Sequence, residues 1–283
     1  MTRDRAALGE FLRACRDRLT PAEAGIEAFP GRRRVPGLRK EEAALLAGLS
    51  TDHYSRLEQG RQSRVSADVV DALARALRLN DVEHEHLRDL AAPASRRTAG
   101  SWASPQRPEP GLLRVMTNLD HLPVLLLGRR AEVLASNALL TEVLGRDLPV
   151  GTSFPRYLFT DPDVRDRIAN WPDFAAAAVG GLRMELGREP GDRLLAELVA
   201  ELRAADPQVA RWWDEQGVAD RTSQVKRIAH PVAGDLRFHI EAVTVPQAPH
   251  QRLVVYTVEP GSPTAQVLPM LASWAVQDPA ASR

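Results

Sequence analysis

The sequence predicts an all-helical N-terminal domain followed by an α+β domain with an antiparallel sheet and several helices. In the first 92 residues, apolar side chains recur every three or four positions, which is the period of amphipathic helices. Several later segments alternate between apolar and polar residues, as half-buried strands do. Four prolines within residues 93–111 indicate a linker. We therefore expect domains at residues 1–92 and 112–283, and the length of 283 residues suits about two domains.

Composition excludes several protein classes. The chain is 44% hydrophobic and 26% charged, which is typical of globular proteins and excludes disordered or collagen-like chains. The single cysteine, Cys15, excludes an internal disulfide and a cysteine-rich zinc site. No apolar stretch approaches the ~20 residues of a membrane helix, and the charged N-terminus does not resemble a signal peptide. We expect a cytoplasmic protein with no membrane partner.

The N-terminal domain is predicted to contain five helices. The first carries an apolar face that includes Cys15, which we interpret as a small core residue, and a loop runs from Pro21 to Leu38. The second covers residues 39–47, and the third begins after Ser50 and extends through Glu58. Ser66 and Asp81 are the predicted N-caps of the fourth and fifth.

The second half alternates between helices and strands. The pattern predicts a hairpin from strands at residues 124–127 and 131–135, then a helix at 137–144. Several helical pieces follow within residues 161–216. Three strands at 224–229, 236–242 and 253–258 and a closing helix at 264–276 complete the prediction, with a further helix expected at 112–119.

The second and third helices have the pattern of a helix-turn-helix. Ala44 is small enough for two helices to cross closely, and Gly48 allows the chain to turn. Leu49, Tyr54 and Leu57 should hold the third helix against the others. Its opposite side then presents polar residues, and its N-terminal half would enter the major groove of DNA. A plain helical bundle with a charged surface is the alternative interpretation.

The polar side chains of this motif suit DNA. Arg56 matches guanine O6 and N7, Asp52 can accept from cytosine N4, and Thr51 can contact a thymine methyl. The flanking cations suit phosphates, and residues 1–64 hold 13 basic and 9 acidic residues although the whole chain has zero net charge. The predicted DNA-binding residues are Arg32, Arg33, Arg34, Arg39, Lys40, Ser50, Thr51, Asp52, His53, Arg56, Arg61 and Arg64.

Two groups of motifs resemble a known family. The first comprises Gly31-Arg-Arg-Arg-Val-Pro-Gly-Leu-Arg-Lys-Glu-Glu, Ala43-Ala-Leu-Leu-Ala-Gly-Leu-Ser and Tyr54-Ser-Arg-Leu-Glu-Gln-Gly-Arg. The second comprises Gly128-Arg-Arg, Val133-Leu-Ala-Ser-Asn, Phe159-Thr-Asp-Pro, Trp171, Trp213, and His230-Pro followed by Gly234. Over residues 8–271 the chain resembles actinobacterial XRE-type helix-turn-helix regulators with an MmyB-like C-terminal domain.

The resemblance implies a cytosolic, usually dimeric, DNA-binding regulator. Its C-terminal domain would have a PAS-like sheet packed by helices and an apolar pocket for a fatty acid-like molecule. The chain departs from the family at Thr152 and Ser153, where members often carry an Arg-Asn pair, and at Gln216, where a histidine is common.

Eight residues are candidates for the ligand site: Leu134, Phe154, Arg156, Phe159, Trp171, Trp213, His230 and Phe238. For the aromatic residues, the alternative is an ordinary place in the core. Arg156 at the mouth of a pocket would form a charge-assisted contact with a carboxylate. Its alternative role is a surface salt bridge.

The sequence offers no motif for catalysis. His84 and His86 point to nearly opposite sides of a helix, so they should not hold one metal ion. A nucleophile elbow, a P-loop and a dinucleotide fingerprint are all missing, so we expect neither an enzyme nor a cofactor. Two other functions stay open: an enzyme fused to a DNA-binding module, and a C-terminal domain that docks a protein partner and binds no small molecule.

Overall fold

The computed structural model describes residues 2–29, 35–62, 65–92, 106–218 and 223–277. Two compact units make up the chain. We call them the helical unit (Met1–Trp102, Val179–Ala200 and Gln208–Ala219) and the sheet unit (Ala103–Ala178, Glu201–Pro207 and Asp220–Arg283). The helical unit thus takes in two segments from the second half of the chain, and the sequence-based domain boundaries stay a prediction.

Six helices form the N-terminal part of the helical unit. They are α1 (Thr2–Arg18), α2 (Pro21–Ala24), α3 (Lys40–Leu46), α4 (Thr51–Glu58), α5 (Ala67–Ala76) and α6 (Asp81–Ala91). Their apolar faces meet in one core, in which Phe11, Leu12 and Cys15 of α1 are buried together with Tyr54, Leu73 and Leu87. The five predicted helices and the core position of Cys15 are confirmed.

Local capping explains two differences from the prediction. The sequence predicts a loop after Pro21, but α2 forms because Thr20 and Glu23 make a reciprocal capping box around Pro21. The N-cap of α6 is Asn80 and not Asp81, since the Asn80 side chain accepts a hydrogen bond from the Glu83 amide at 2.9 Å.

The rest of the chain contains eight more helices and five strands among the described residues. The helices are α7 (Pro110–Asn118), α8 (Ala138–Leu144), α9 (Phe154–Thr160), α10 (Pro162–Arg167), α11 (Trp171–Arg188), α12 (Arg193–Ala205), α13 (Pro207–Asp214) and α14 (Pro263–Gln277). The strands are β1 (Val124–Leu127), β2 (Val133–Ser136), β3 (Ser223–His230), β4 (Gly234–Val245) and β5 (Ala248–Thr257).

The five strands form one sheet in the order β2-β1-β5-β4-β3, and every neighbouring pair is antiparallel. The predicted hairpin is therefore confirmed, as is the α+β class of this part of the chain. One face of the sheet packs on α7 through a cluster of Leu112, Val124, Leu126, Leu134, Leu253 and Val255. In the register, Lys226 lies opposite Phe238 and Ile240 lies opposite Tyr256. Val255 lies on the face covered by α7, and successive residues of a strand point to opposite faces. Tyr256 therefore lies on the opposite face, together with Lys226, Phe238 and Ile240.

Helix α9 was not predicted from the sequence. It begins because the Ser153 hydroxyl accepts a hydrogen bond from the Arg156 amide and Pro155 lies in the first turn. Consequently Phe154, Arg156 and Phe159 are helical residues. Across the described parts of the chain, no helix combines the length and hydrophobicity needed to span a membrane.

Candidate nucleic-acid interface and ligand-binding site

The turn between α3 and α4 has the geometry that the sequence predicts. Gly48 adopts a positive φ of 65°, which glycine reaches without steric cost. The Leu49 amide then donates to the Ala44 carbonyl at 2.9 Å, which completes the end of α3. Ala44 is buried where the helices cross. The two helices therefore form the predicted helix-turn-helix.

Helix α4 presents one buried face and one exposed face. Tyr54 and Leu57 are fully buried, whereas Thr51, Asp52 and Arg56 are exposed. The Ser50 hydroxyl accepts a hydrogen bond from the His53 amide at 3.1 Å and caps the helix. The predicted separation of α4 into a buried apolar face and an exposed polar face is thus confirmed. The contact of each residue with DNA stays a prediction.

Arg56 and Asp52 form an ion pair on the exposed face. Their side chains lie one turn apart, with the Arg56 guanidinium 2.7 Å from the Asp52 carboxylate. An exposed pair of this kind adds little to stability. Its consequence is geometric, because it holds the guanidinium over the N-terminal half of α4.

A buried carboxylate lies behind this helix. The Glu58 side chain is fully buried and accepts a 2.6 Å hydrogen bond from Arg16 Nε. Arg16 also donates to the Leu38 carbonyl at 2.6 Å, and the Lys40 ammonium lies 3.5 Å from Glu58 Oε2. Sequence reasoning missed this network, although Glu58 lies on the same helical face as Tyr54 and Leu57.

The other predicted DNA contacts are distributed around this motif. Arg39 is the N-cap residue of α3, where its amide donates to Glu42 at 2.7 Å, and Arg61 is exposed after α4. Lys40, in the first turn of α3, is partly exposed. Arg32, Arg33, Arg34 and Arg64 lie outside the described residues.

The sheet unit buries a lysine among aromatic rings. Lys226 on β3 is fully buried, and its ammonium lies 4.8 Å from the Phe174 ring centroid, 5.3 Å from that of Tyr256 and 5.7 Å from that of Phe154. Its Nζ also donates to the Tyr256 hydroxyl at 3.3 Å. Burial lowers the pKa of Lys226 to about 7 and raises that of Tyr256.

Two family models match this chain. The model of a helix-turn-helix domain covers residues 7–87. The model described as the MmyB-like transcription regulator ligand binding domain covers residues 108–271, which is more than half of the chain. The chain belongs to this MmyB-like family. It is therefore a transcription regulator with a helix-turn-helix DNA-binding domain and a ligand-binding domain, and the resemblance read from the sequence is confirmed. No curated protein matches its sequence.

Within the MmyB-like domain, the predicted ligand residues do not all converge. Phe154 and Phe238 lie near Lys226 and Tyr256, with 5.6 Å between the Phe238 and Tyr256 ring centroids. Leu134 lies in the cluster under α7, which is on the other face of the sheet. Trp213 belongs to the helical unit.

The remaining two aromatic candidates form a separate pair. The rings of Phe159 and Trp171 meet edge to face with their centroids 6.2 Å apart, and the Trp171 indole donates to the Leu158 carbonyl at 3.4 Å. Trp171 is buried and Phe159 is partly buried. This pair joins α9 to the start of α11.

His230 of the MmyB-like domain has hydrogen bonds at both ring nitrogens. Nδ1 accepts from the amides of Val232 and Ala233, and Nε2 lies 3.1 Å from the Glu142 carbonyl. Since Nδ1 acts as an acceptor, Nε2 carries the proton in the neutral ring. The two contacts of Nδ1 hold the turn between β3 and β4, and the contact of Nε2 connects this turn to α8.

Arg156 lies on the surface of the MmyB-like domain. Two of its nitrogens donate to Glu201, at 2.8 and 2.6 Å, and both side chains are about half exposed. The Glu201 carboxylate raises the pKa of Arg156. Arg156 also borders an open groove of about 780 Å³ together with Ser153, Tyr157 and Thr160.

Trp213 lines a smaller cavity inside the helical unit. The cavity measures about 190 Å³, and its other lining residues include Glu10, His86, Arg183 and Gln216. Arg183 stacks on Trp213 and donates to the carbonyls of Trp213 and Gly217. Burial, with Arg183 as the second cause, lowers the pKa of His86 to about 4. His86 is therefore neutral at physiological pH.

Proposed function

We propose that this protein is a homodimeric regulator that binds a specific operator. In this proposal, its MmyB-like domain binds a small apolar, fatty acid-like molecule that modulates operator binding. The observation that carries the DNA-binding part is the exposed polar face of α4, with Thr51, Asp52 and Arg56 opposite buried Tyr54 and Leu57.

The chemistry of this face suits the major groove. The planar guanidinium of Arg56 can donate two hydrogen bonds to a guanine, which makes it the main determinant of sequence choice. Lys40 and Arg61 flank α4 and suit phosphates, which carry affinity but little sequence information. Two copies of the motif would read a roughly palindromic operator with two half-sites.

The ligand-binding part is supported by the apolar and aromatic sheet face. Three buried rings, those of Phe174, Phe238 and Tyr256, lie on the face of the sheet opposite α7, and such a face suits a mostly apolar molecule. A ligand modulates operator binding only if it has different affinities for the DNA-competent state and for another state. We therefore propose that the predicted ligand residues around this face contact the molecule. We also propose that its binding favours one of these two states.

One experiment tests the DNA-binding half. DNA selected from a random pool should yield a palindromic consensus, and binding of that DNA is then measured across salt concentrations. If each protomer neutralises about four phosphates, the slope of log K against log salt should be about −7 for the dimer. A slope near zero or the lack of any consensus would contradict operator binding.

Mass spectrometry of the purified protein tests the ligand and the oligomer. The native spectrum should show a dimer with an additional small mass, and solvent extraction after denaturation should release an apolar molecule. A ligand-free dimer to which no added apolar molecule binds would favour a domain that docks a protein partner. Turnover of the extracted molecule would instead favour an enzyme.

A further inference from the structure

Lys226 has no acidic partner in the described part of the chain. Its Nζ has one hydrogen bond, to the Tyr256 hydroxyl at 3.3 Å, and three aromatic rings surround it. No described carboxylate comes within ion-pair distance of this nitrogen. Buried ammonium groups are normally paired, because an unpaired charge in an apolar site costs several kcal/mol.

Among the described residues, the other two buried side chains with a permanent positive charge have several polar partners. Arg16 pairs with Glu58, and Arg183 donates to backbone carbonyls. Lys226 differs because the side chains closest to its nitrogen are apolar or phenolic. Desolvation is the only cause that lowers its pKa to about 7, so charged and neutral forms coexist near neutral pH.

We propose that Lys226 anchors the carboxylate of an apolar monocarboxylic acid in the MmyB-like domain. This rests on the proposed function, in which the domain binds an apolar ligand. The ligand would supply the negative charge that the site lacks. Since Lys226 Nζ donates to the Tyr256 oxygen, the Tyr256 hydroxyl proton stays available as a second donor to the carboxylate. The apolar chain of the ligand would then contact Phe154, Phe174 and Phe238.

The groups around Lys226 allow this assignment. Tyr256 of β5 faces it, Phe174 of α11 and Phe154 of α9 cover it, and Phe238 is its partner in β4. The titratable groups at the site are Tyr256 and, next to it, Tyr157 of α9. Burial raises the pKa of both phenols, so both are neutral donors when Lys226 titrates.

A route to the site follows from α9. Phe154 is only partly buried, and its ring lies 5.8 Å from that of Tyr157, which also borders the 780 Å³ groove. The proposal requires these two side chains to rotate and to open a path from the groove to Lys226. Arg156 borders the same groove but is already paired with Glu201, so it is the matched cation for comparison.

Binding of decanoic acid and of 1-decanol to the full-length protein at pH 6.5 tests the proposal. Wild type should bind the acid at least tenfold more tightly than the alcohol. Lys226→Met should lose this preference while its affinity for the alcohol is unchanged, which also proves that the variant is folded. Arg156→Ala should keep the preference. If Lys226→Met keeps it, or Arg156→Ala loses it, Lys226 is not the anchor. Wild type that binds neither probe overturns the proposed ligand binding as well.

The proton linkage provides a second readout, since the chain has only two lysines, Lys40 and Lys226. Lysine labelled with ¹³C at Cε should give two NMR signals, which Lys40→Arg assigns. The Lys226 signal should titrate near pH 7 in the free protein and at clearly higher pH with decanoic acid bound. Bound 1-decanol should not raise the midpoint. A midpoint that bound acid leaves unchanged would overturn the proposed ion pair.

Discussion

Arg16 of α1 donates a 2.6 Å hydrogen bond through Nε to Glu58, the last residue of α4. A second nitrogen of the same guanidinium donates to the Leu38 carbonyl just before α3. One buried side chain therefore connects α1 to the end of α4 and to the segment that leads into α3. The orientation of the exposed face of α4 therefore depends on an ion pair that is buried behind it.

Replacing Glu58 by glutamine should destabilise the helical unit. Glu58→Gln keeps the shape of the side chain but removes the buried carboxylate partner of Arg16, which then has only the partly exposed Asp17 carboxylate, 2.7 Å away, as a counterion. The loss of the buried pair should cost about 3 kcal/mol. Urea unfolding measures this loss. Glu41→Gln, at an exposed position of α3, is the control. A loss below about 1 kcal/mol would mean that Arg16 finds other partners.

Arg56→Ala and Lys40→Ala should weaken DNA binding in different ways. The first removes the proposed guanine contact, so the affinity for the selected operator should fall while binding to random DNA changes little. The second removes a proposed phosphate contact and should weaken both by a similar factor. Competition assays with operator and scrambled DNA measure the two ratios.

Arg193→Ala is the matched control for Arg56→Ala. Arg193 is also exposed and also pairs with a carboxylate one turn away, Glu197. This variant should leave both affinities unchanged. If it lowers operator affinity as much as Arg56→Ala does, the effect is one of general charge and not of base recognition.

Gly9→Ala should disturb the contact between α1 and α4. A Cβ at Gly9 would overlap the backbone carbonyl of Glu58, and backbone cannot move aside as a flexible side chain can. We expect a loss of about 1–3 kcal/mol and weaker operator binding. Gly111→Ala, where the nearest atoms to a new Cβ are 3.8 Å away, is the control. Wild-type stability in Gly9→Ala would show that α1 can shift without cost.

Local signals explain which elements the sequence predicts. The turn at Gly48 and the cap at Ser50 depend on neighbouring residues, so α3 and α4 are predicted almost to the residue. Helices α2 and α9 were missed although Thr20 and Ser153 are good N-caps, each with a proline in the first turn. Their short apolar pattern is too weak to indicate a helix by periodicity.

The sites depend on contacts that a single sequence does not reveal. Arg16 and Glu58 are 42 positions apart, and the rings around Lys226 come from three elements. The period of β3 does predict that Lys226 shares a face with buried Ile228. Which groups surround an inward-facing lysine is decided by tertiary packing.

His86 should make the protein less stable in mild acid. Its pKa is about 4 in the folded protein and 6.5 in the unfolded chain, so between these pH values only the unfolded chain binds the proton. The free energy of unfolding should therefore fall as the pH drops from 6.5 to 4. His86→Leu should flatten this fall, with His121→Leu at an exposed site as the control. If the free energy of unfolding falls equally with decreasing pH in wild type and in His86→Leu, His86 is not the cause of the acid sensitivity.

Lys226→Met should stabilise the ligand-free protein, most strongly below pH 7. The folded-state pKa of Lys226 is about 7 and the ordinary value is 10.5, so in this interval the unfolded chain binds more protons than the folded protein. Wild-type stability should therefore rise with pH across the interval, because folding requires Lys226 to release its proton and this release costs less as the pH approaches 10.5. Methionine never carries that charge, so the gain from the substitution should shrink toward pH 10.5. Urea unfolding at a series of pH values measures the gain, with Arg193→Met at an exposed site as the control. A gain that is constant from pH 6 to 10 would reflect better packing and not the removal of an unpaired charge.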